Sequence, residues 1–485
     1  MSELQAEPSP LTSDQASLQL SSDEMRALGY RVIDILVDHL REARETPVQK
    51  YATLQTLESL LREPVPDGGS DVNDVLRQLE RDVFPYIARH DHPRFFAFVP
   101  SPSNFVSVMA ETLAAGYNVT AGTWGGAPGP VELEVVTIDW LRQLFGMPES
   151  AGGLFVSGGS MANLTALAAA RHIRLNDRLN GAVAYCSDQT HSSVARAFHL
   201  LGFAPDQLRI LPSDDELRLP LDILHRRVTA DRRAGGTPFC VVANAGTTNT
   251  GAVDSLPQLA DLCAEENMWL HADASYGGPA VLSESGRSAL VGLDRLDSVS
   301  LDPHKWLFQP YEMGCVLVRR GDHLRQTFLV HADYLQDLES AGDEVNFCDY
   351  GVQLTRGFRA LKLWMSLKVF GLDAFRKAVS HGIALAEAAE RMLRASDVWE
   401  VVTPAQLGLI TFRYRLRGED DSLIDDFNRD LVGAMREDGF AFLSSTLVQG
   451  RVVLRLCTIN PRTTETDLES SIRRLEALAR RRFKG

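Results

Sequence analysis

A chain of 485 residues with 45% hydrophobic and 23% charged content is long enough for two or three structural units and has the make-up of a soluble globular protein. Its formal net charge of −15, from 49 basic and 64 acidic residues, argues against a general binder of nucleic acid or anionic membrane, which needs a positive field. Six scattered cysteines without a CxxC pair read as reduced, buried small hydrophobes, not as a disulfide framework or a zinc site.

Residues 1–20 are rich in Ser, Pro and Gln and are expected to be disordered. They lack the basic and apolar regions of a secretory signal. No apolar run reaches the roughly 18 residues of a membrane helix, so a cytoplasmic protein is expected. A helix then starts with capping-box spacing at Ser21 and Glu24, and Met25, Leu28, Val32, Ile35, Leu36 and Leu40 share one face. "REPVPDGGSD" (62–71) breaks it, and a second helical stretch runs to about Ile87. Residues 21–94 thus form a helical arm too thin to bury its own core. It is expected to pack on another domain or subunit.

From 95 to 370 the chain alternates. Apolar runs at Val183–Cys186, Leu208–Leu211, Phe239–Ala243, Trp269–Ala272, Val299–Leu301 and Cys315–Val318 are separated by helix-like segments near 191–201, 219–233 and 255–267. Strand–helix–strand alternation predicts an α/β large domain with a mainly parallel sheet covered on both faces. Residues 371–485 read as a smaller α+β domain: a long amphipathic helix, the strands "GLITFRYRL" and "RVVLRLCTI", and a last helix from about Thr466. The arginines of its closing "ARRRFK" complement the helix dipole.

In an open α/β sheet, ligands sit beyond the carboxyl ends of the strands, and four polar segments fall there. In "GGLFVSGGSMANLTALAAAR" (152–171), Gly158, Gly159 and Ser160 open a helix, as in a phosphate cradle or an ordinary capped glycine turn. "WLHADASYGG" (269–278) ends an apolar strand on Asp273, which can pair with a ligand cation or cap a turn. "SLDPHKWLFQP" (300–310) places Lys305 just past a strand, where a free ammonium is costly to bury. "YCSDQTHSSVARA" (185–197) puts His191 between strand and helix. A phosphate cradle, a carboxylate, a flat ring and a lysine at the ends of one sheet match the needs of pyridoxal 5′-phosphate.

These segments, with "NAGTTNTGAVDSL" (244–256), resemble the group II pyridoxal-phosphate-dependent amino-acid decarboxylases over nearly the whole chain, from about residue 24. The aromatic-L-amino-acid type is the nearest in kind. The resemblance implies a fold-type-I large domain, a homodimer with active sites at the subunit interface, and an arm that wraps the partner. It makes Lys305 the Schiff-base lysine, Asp273 the carboxylate facing the pyridine nitrogen and His191 the imidazole over the ring. Gly159, Ser160 and His304 become phosphate-side residues, and Thr248 a supporting neighbour of the cofactor. Tyr334, in the lid-like "LVHADYLQDLESAGDEVNF" (329–347), matches the tyrosine tied to proton return at Cα. Related aldehyde synthases change this tyrosine or the stacking histidine, so Tyr334 and His191 favour simple decarboxylation. No metal is implied.

"HPRFFAFVPSPSN" (92–104) matches the pocket wall, with Phe98, Val99, Pro100 and Ser101 as candidates, and its apolar character suits an aromatic substrate. Gly122 stands where animal aromatic enzymes carry phenylalanine, which either widens the pocket or reflects different packing. Thr355 occupies another specificity position. Asp302 replaces an asparagine, is expected to repel phosphate, and is not assigned a cofactor contact. Arg455 aligns near a carboxylate-binding arginine of glutamate-type relatives, although a structural ion pair is the expected role. Decarboxylation of an acidic or aliphatic amino acid is the alternative, and a pseudoenzyme acting as an interaction protein the more distant one.

Overall fold

We describe the protein from a computed structural model, in which residues 18–329, 344–415 and 420–483 are described. The chain divides into two compact units, one running to Thr46 and resuming at Ala52–Tyr86, the other comprising Pro47–Tyr51 and the chain from Ile87 onward.

In the first unit, Ser21 and Glu24 form the capping box their spacing predicts, and the helix Ser22–Arg41 follows. Thr53 and Asp71 cap two further helices, Leu54–Leu61 and Val72–Asp82, on either side of the expected break. Arg31 and Glu80 pair at 2.9 Å. No residue of the first two helices is buried, although both present apolar side chains.

The second unit is built on a seven-stranded sheet. Its strands are β1 (Gly152–Val156), β2 (Ala182–Ser187), β3 (Leu208–Leu211), β4 (Thr237–Asn244), β5 (Trp269–Asp273), β6 (Ser298–Leu301) and β7 (Gly314–Val318), in the order β1-β7-β6-β5-β4-β2-β3. The pairs among β2 to β6 are parallel, as helix crossovers allow. By contrast, β7 runs antiparallel to both β6 and β1. No helix interrupts residues 302–313, so the chain turns straight back. The sheet is therefore mainly parallel, as expected, and mixed at this edge. Alternating residues send Val183, Tyr185, Val241 and Ala243 into one apolar layer, and Ala182, Ala184, Cys240 and Val242 into the other. Both faces are covered, which explains the near-continuous apolar runs.

A second, antiparallel sheet contains β8 (Trp399–Gln406), β9 (Leu409–Tyr414), β10 (Ser444–Val448) and β11 (Arg451–Cys457), in the order β10-β11-β9-β8. Helices Asp421–Asp438 and Glu465–Phe483 supply its core with Leu431, Met435, Leu468 and Leu475. The long helix Ala360–Ala395 is interrupted at Gly371, whose φ is 73°. Beyond that break it gives Phe375, Val379 and Ile383 to the large core and Ala389 and Leu393 to the small one. All six cysteines are free and buried. Among the described residues no helix is long and apolar enough to cross a membrane, and no His/Cys/Asp/Glu group is arranged to hold a metal.

Candidate active site

The carboxyl ends of the parallel strands deliver polar groups to one place. β5 ends on Asp273, β1 runs through Ser157 and Gly158 into the helix Gly159–Leu175, and β2 leads to His191, the N-cap of the helix Ser192–Leu200. Gly159, Ser160, His191, Thr248, Asp273 and Ser275 line a common cavity. Lys305 reaches the same region from the β6–β7 connection. Its Nζ lies 2.9 Å from Asp302 Oδ2, with 24% of the side chain exposed.

Each charge is set by its surroundings. Burial pushes the Lys305 amine toward neutrality, but Asp302 and then Asp273 outweigh it and hold the pKa above the ordinary lysine value. Burial opposes ionisation of Asp273 too. The hydrogen bonding of Ser275, the charge of Lys305 and the amide of Asn163 more than compensate, so its pKa is lowered. Its Oδ1 accepts from Ser275 N–H at 3.0 Å and its Oδ2 from Asn163 Nδ2 at 2.9 Å. Asp273 is thus a buried carboxylate kept ionised, the group a pyridinium needs.

His191 Nδ1 accepts the backbone N–H of Ser193 at 3.2 Å, which leaves the ring proton on Nε2. His304 Nδ1 accepts Met313 N–H at 3.1 Å, and burial pushes the His304 pKa down. Its backbone carbonyl accepts the Ser101 hydroxyl. The Gly158–Gly159 turn is walled closely: a Cβ on Gly159 would strike Ser275 Oγ and come within 2.9 Å of Asp302 Oδ2. A Cβ on Gly158 would come within 3.2 Å of the His304 ring. This small-residue turn at the start of a long helix fits a phosphate. Together with an amine and an ionised carboxylate nearby, the donor set fits pyridoxal phosphate.

Other predicted residues fall into two groups. Phe98 is 53% exposed, whereas Val99, Pro100 and Ser101 are buried. Arg455 donates to the carbonyls of Phe98 and Thr248, each at 2.7 Å, tying the pocket wall to the β4–β5 loop. Among the described residues no carboxylate lies within ion-pair range of Arg455, so the expected ion pair is replaced by carbonyl contacts. Gly122 and Thr355 come near one another elsewhere. A Cβ on Gly122 would lie 2.6 Å from the Leu354 carbonyl oxygen, so close packing accounts for the glycine. Thr355 is exposed, and no described hydrogen bond or ion pair joins this pair to Lys305. The buried Arg356 fixes that region, bonding Glu134 at 2.6 Å and the carbonyls of Ala121 and Phe155. Tyr334 lies outside the described residues.

Asp302, which the sequence left without an assigned cofactor contact, sits beneath the Gly158–Gly159 turn and pairs with Lys305. Sequence reasoning also missed Asn163, Ser193 and Ser275. Only Ser275 carried a signal, because it lies two residues past a strand-end aspartate.

A family model described as "Pyridoxal-dependent decarboxylase conserved domain" matches residues 55–415. An aromatic-L-amino-acid decarboxylase of Bacillus atrophaeus is 50% identical over 467 residues, covering 96% of this chain and 97% of that one. A phenylacetaldehyde synthase of Arabidopsis thaliana is 30% identical, covering 92% of this chain and 94% of that one. Among solved structures, the Oryza sativa TDC with PLP and tryptamine superposes with a TM-score of 0.92 at 29% identity, covering 96% of this chain and 99% of that one.

Proposed function

Since the chain belongs to the pyridoxal-dependent decarboxylase family, we propose that it removes the carboxylate of an aromatic L-amino acid, taking up one proton at Cα and releasing carbon dioxide and the amine. The observation that carries the aromatic reading is the 50% identity, over almost both full lengths, to an aromatic-L-amino-acid decarboxylase. Pyridoxal phosphate, when bound, supplies the electron sink that receives the pair left at Cα.

The chain's residues prepare that chemistry. Lys305 provides the amine that would hold the cofactor, and the Gly159–Ser160 turn, with His304 beside it, would receive its phosphate. Asp273, ionised and anchored by two N–H donors, would keep a proton on the ring nitrogen. His191 presents a ring with Nε2–H at the mouth of the cavity. Thr248 is held by Arg455, which also fixes the Phe98 wall, so pocket and cofactor loop share one anchor. Val99 and Pro100 belong to the proposed pocket, and Gly122 and Thr355, which lie away from Lys305 in a single chain, would reach a pocket only across the proposed dimer interface. Tyr334 is proposed to return the proton to Cα.

A homodimer with the sites at its interface belongs to this proposal. Support comes from the unburied apolar side chains of the first two helices and the exposure of Phe98 and Thr355 in a single chain. The proposed division is an arm at 21–94, a cofactor domain at 95–370 and a small domain at 371–485. Six buried free thiols suit a reducing cytoplasm, and the net negative charge fits a small-molecule substrate, not nucleic acid.

The test is purified protein with Trp, Tyr, Phe, Dopa, Glu and Val, measuring carbon dioxide, amine, aldehyde and ammonia. We expect amine and carbon dioxide in equal amounts from at least one aromatic substrate. Lys305→Ala should lose both turnover and the visible band that borohydride shifts. Turnover of Glu or Val alone overturns the aromatic assignment, and aldehyde with ammonia overturns simple decarboxylation.

A further inference from the structure

A line of buried polar groups runs behind the site, and nothing assigned so far uses it. Trp269 Nε1–H donates to Ser298 Oγ at 2.8 Å, and Ser298 Oγ lies 2.9 Å from His271 Nδ1. His271 Nε2 lies 2.9 Å from Asn163 Oδ1. Asn163 Nδ2 then donates twice, to Asp273 Oδ2 and to Ser193 Oγ, each at 2.9 Å. The Ser193 hydroxyl meets His191 Nδ1 at 2.8 Å. Trp269, Ser298, His271 and Asn163 are each at most 1% exposed, and Ser193 is 3% exposed. Bulk water does not compete for the bonds from Trp269 to Ser193, whereas His191 at the end of the line is exposed.

Every proton in the line has one place. Asp273 is an acceptor only, which turns the Asn163 nitrogen toward it and the Asn163 oxygen toward His271. An amide oxygen cannot donate, so His271 carries its proton on Nε2. Burial keeps that ring neutral, its pKa pushed down to about 4, and its Nδ1 is left to accept the Ser298 hydroxyl. The indole, a donor only, supplies the Ser298 oxygen. On the other branch, the second Asn163 N–H occupies the Ser193 oxygen. The Ser193 hydroxyl proton therefore points at His191 Nδ1, where the Ser193 backbone N–H also donates. His191 is left with its proton on Nε2.

We propose that Asn163 is a positioning residue that couples Asp273 to His191, orienting the carboxylate and, through the Ser193 hydroxyl, adding to the Ser193 backbone N–H in holding the imidazole in one tautomer. The significance of the coupling rests on the pyridoxal-phosphate reading of the site, since it would then govern the group at the ring nitrogen and the group over the ring face together. The coupling itself is a property of the protein alone. His271 acts one step behind, by holding the Asn163 amide in the orientation that gives both N–H groups to the site.

The test uses the full-length chain prepared free of cofactor and labelled with 15N-histidine, with the His191 signals identified by their loss in His191→Asn. Wild type should show His191 as the Nε2–H tautomer. In Asn163→Leu and in Ser193→Ala the tautomer ratio should move about fivefold or more toward Nδ1–H, the worth of one hydrogen bond. A parallel spectrophotometric titration with pyridoxal 5′-phosphate separates the branches. Asn163→Leu should raise Kd about tenfold, because the ionised Asp273 loses a donor. Ser193→Ala should stay within about threefold of wild type, because Asp273 keeps its amide.

An unchanged tautomer ratio in either folded variant overturns the coupling. So does an Asn163→Leu Kd equal to wild type, or a Ser193→Ala Kd raised as far as that of Asn163→Leu. If Asn163→Leu does not fold, Ser193→Ala, which deletes a single hydroxyl, decides by its histidine signal. Failure of wild type to take up pyridoxal phosphate overturns the cofactor reading and leaves the histidine result to decide the coupling.

Discussion

Asp302 answers two opposing demands. Its carboxylate pairs with the Lys305 amine at 2.9 Å, yet it lies beneath the turn proposed to receive a phosphate. An amine must shed its proton before it attacks an aldehyde, and Asp302, Asp273 and Tyr311 all favour keeping that proton, against burial. Loading of cofactor-free protein is therefore expected to speed up as pH rises toward the raised Lys305 pKa. Asp302→Asn removes the larger of the two carboxylate effects while preserving shape. We expect faster loading near pH 7.5, by about tenfold for each unit that the lysine pKa falls. Stopped-flow absorbance measures this, and slower loading in the variant would mean that Asp302 matters more for aiming the amine than for charging it. Lys305, Asp273 and His191 stood out as candidates in the sequence because each lies within five residues after an apolar run, where ligand-facing polar groups of an open sheet gather. Asn163 could not. It sits inside an Ala-rich helix buried on nearly every side, and an asparagine there looks the same whether it bonds its own backbone or a distant carboxylate.

The return from β6 to β7 is the element that places the lysine, and it depends on a close approach of two backbones. At Gly314, the first residue of β7, a Cβ would lie 2.5 Å from Gly158 Cα and carbonyl carbon. The glycine turn before the helix can therefore lie against β7 only if that position stays bare. Gly314→Ala should displace the turn, costing about 1–3 kcal/mol of stability and weakening pyridoxal-phosphate binding about tenfold or more. Urea unfolding and cofactor titration check the two effects separately, and unchanged affinity would place the phosphate elsewhere. Strand positions were readable because both faces of the sheet are buried, which leaves continuous apolar runs between helix-like spacers. The reversed direction of β7 was not, because its run "CVLV" carries no mark of orientation. The only clue was negative: residues 302–313 contain too many prolines and aromatics in too little chain to make a crossover helix.

At the scale of the whole molecule, a dimer is expected to cover the side chains left open in a single chain. Met25 and Val32, at 47% and 36% exposed, lie on the face that the sequence pattern marks as apolar. Replacing both by Glu should leave the single chain about as stable, since neither is buried in it. It should raise the dimer dissociation constant on the order of a hundredfold, taking about 1.5 kcal/mol for each buried side chain. Sedimentation velocity measures this, and a wild-type monomer would remove the interface from the proposed site. The six buried thiols have a further use at this scale. Burial raises the pKa of each, most strongly at Cys240 and Cys315 inside the large sheet, so a folded molecule offers an alkylating reagent almost no thiolate. Cys457 lies near Lys305 and Arg455, and Cys348 lies in the short turn Phe347–Asp349, the first after residues 330–343. Modification rates read cysteine by cysteine therefore act as clocks for local opening, timing without any denaturant which part of the molecule unlatches first and which a bound ligand seals.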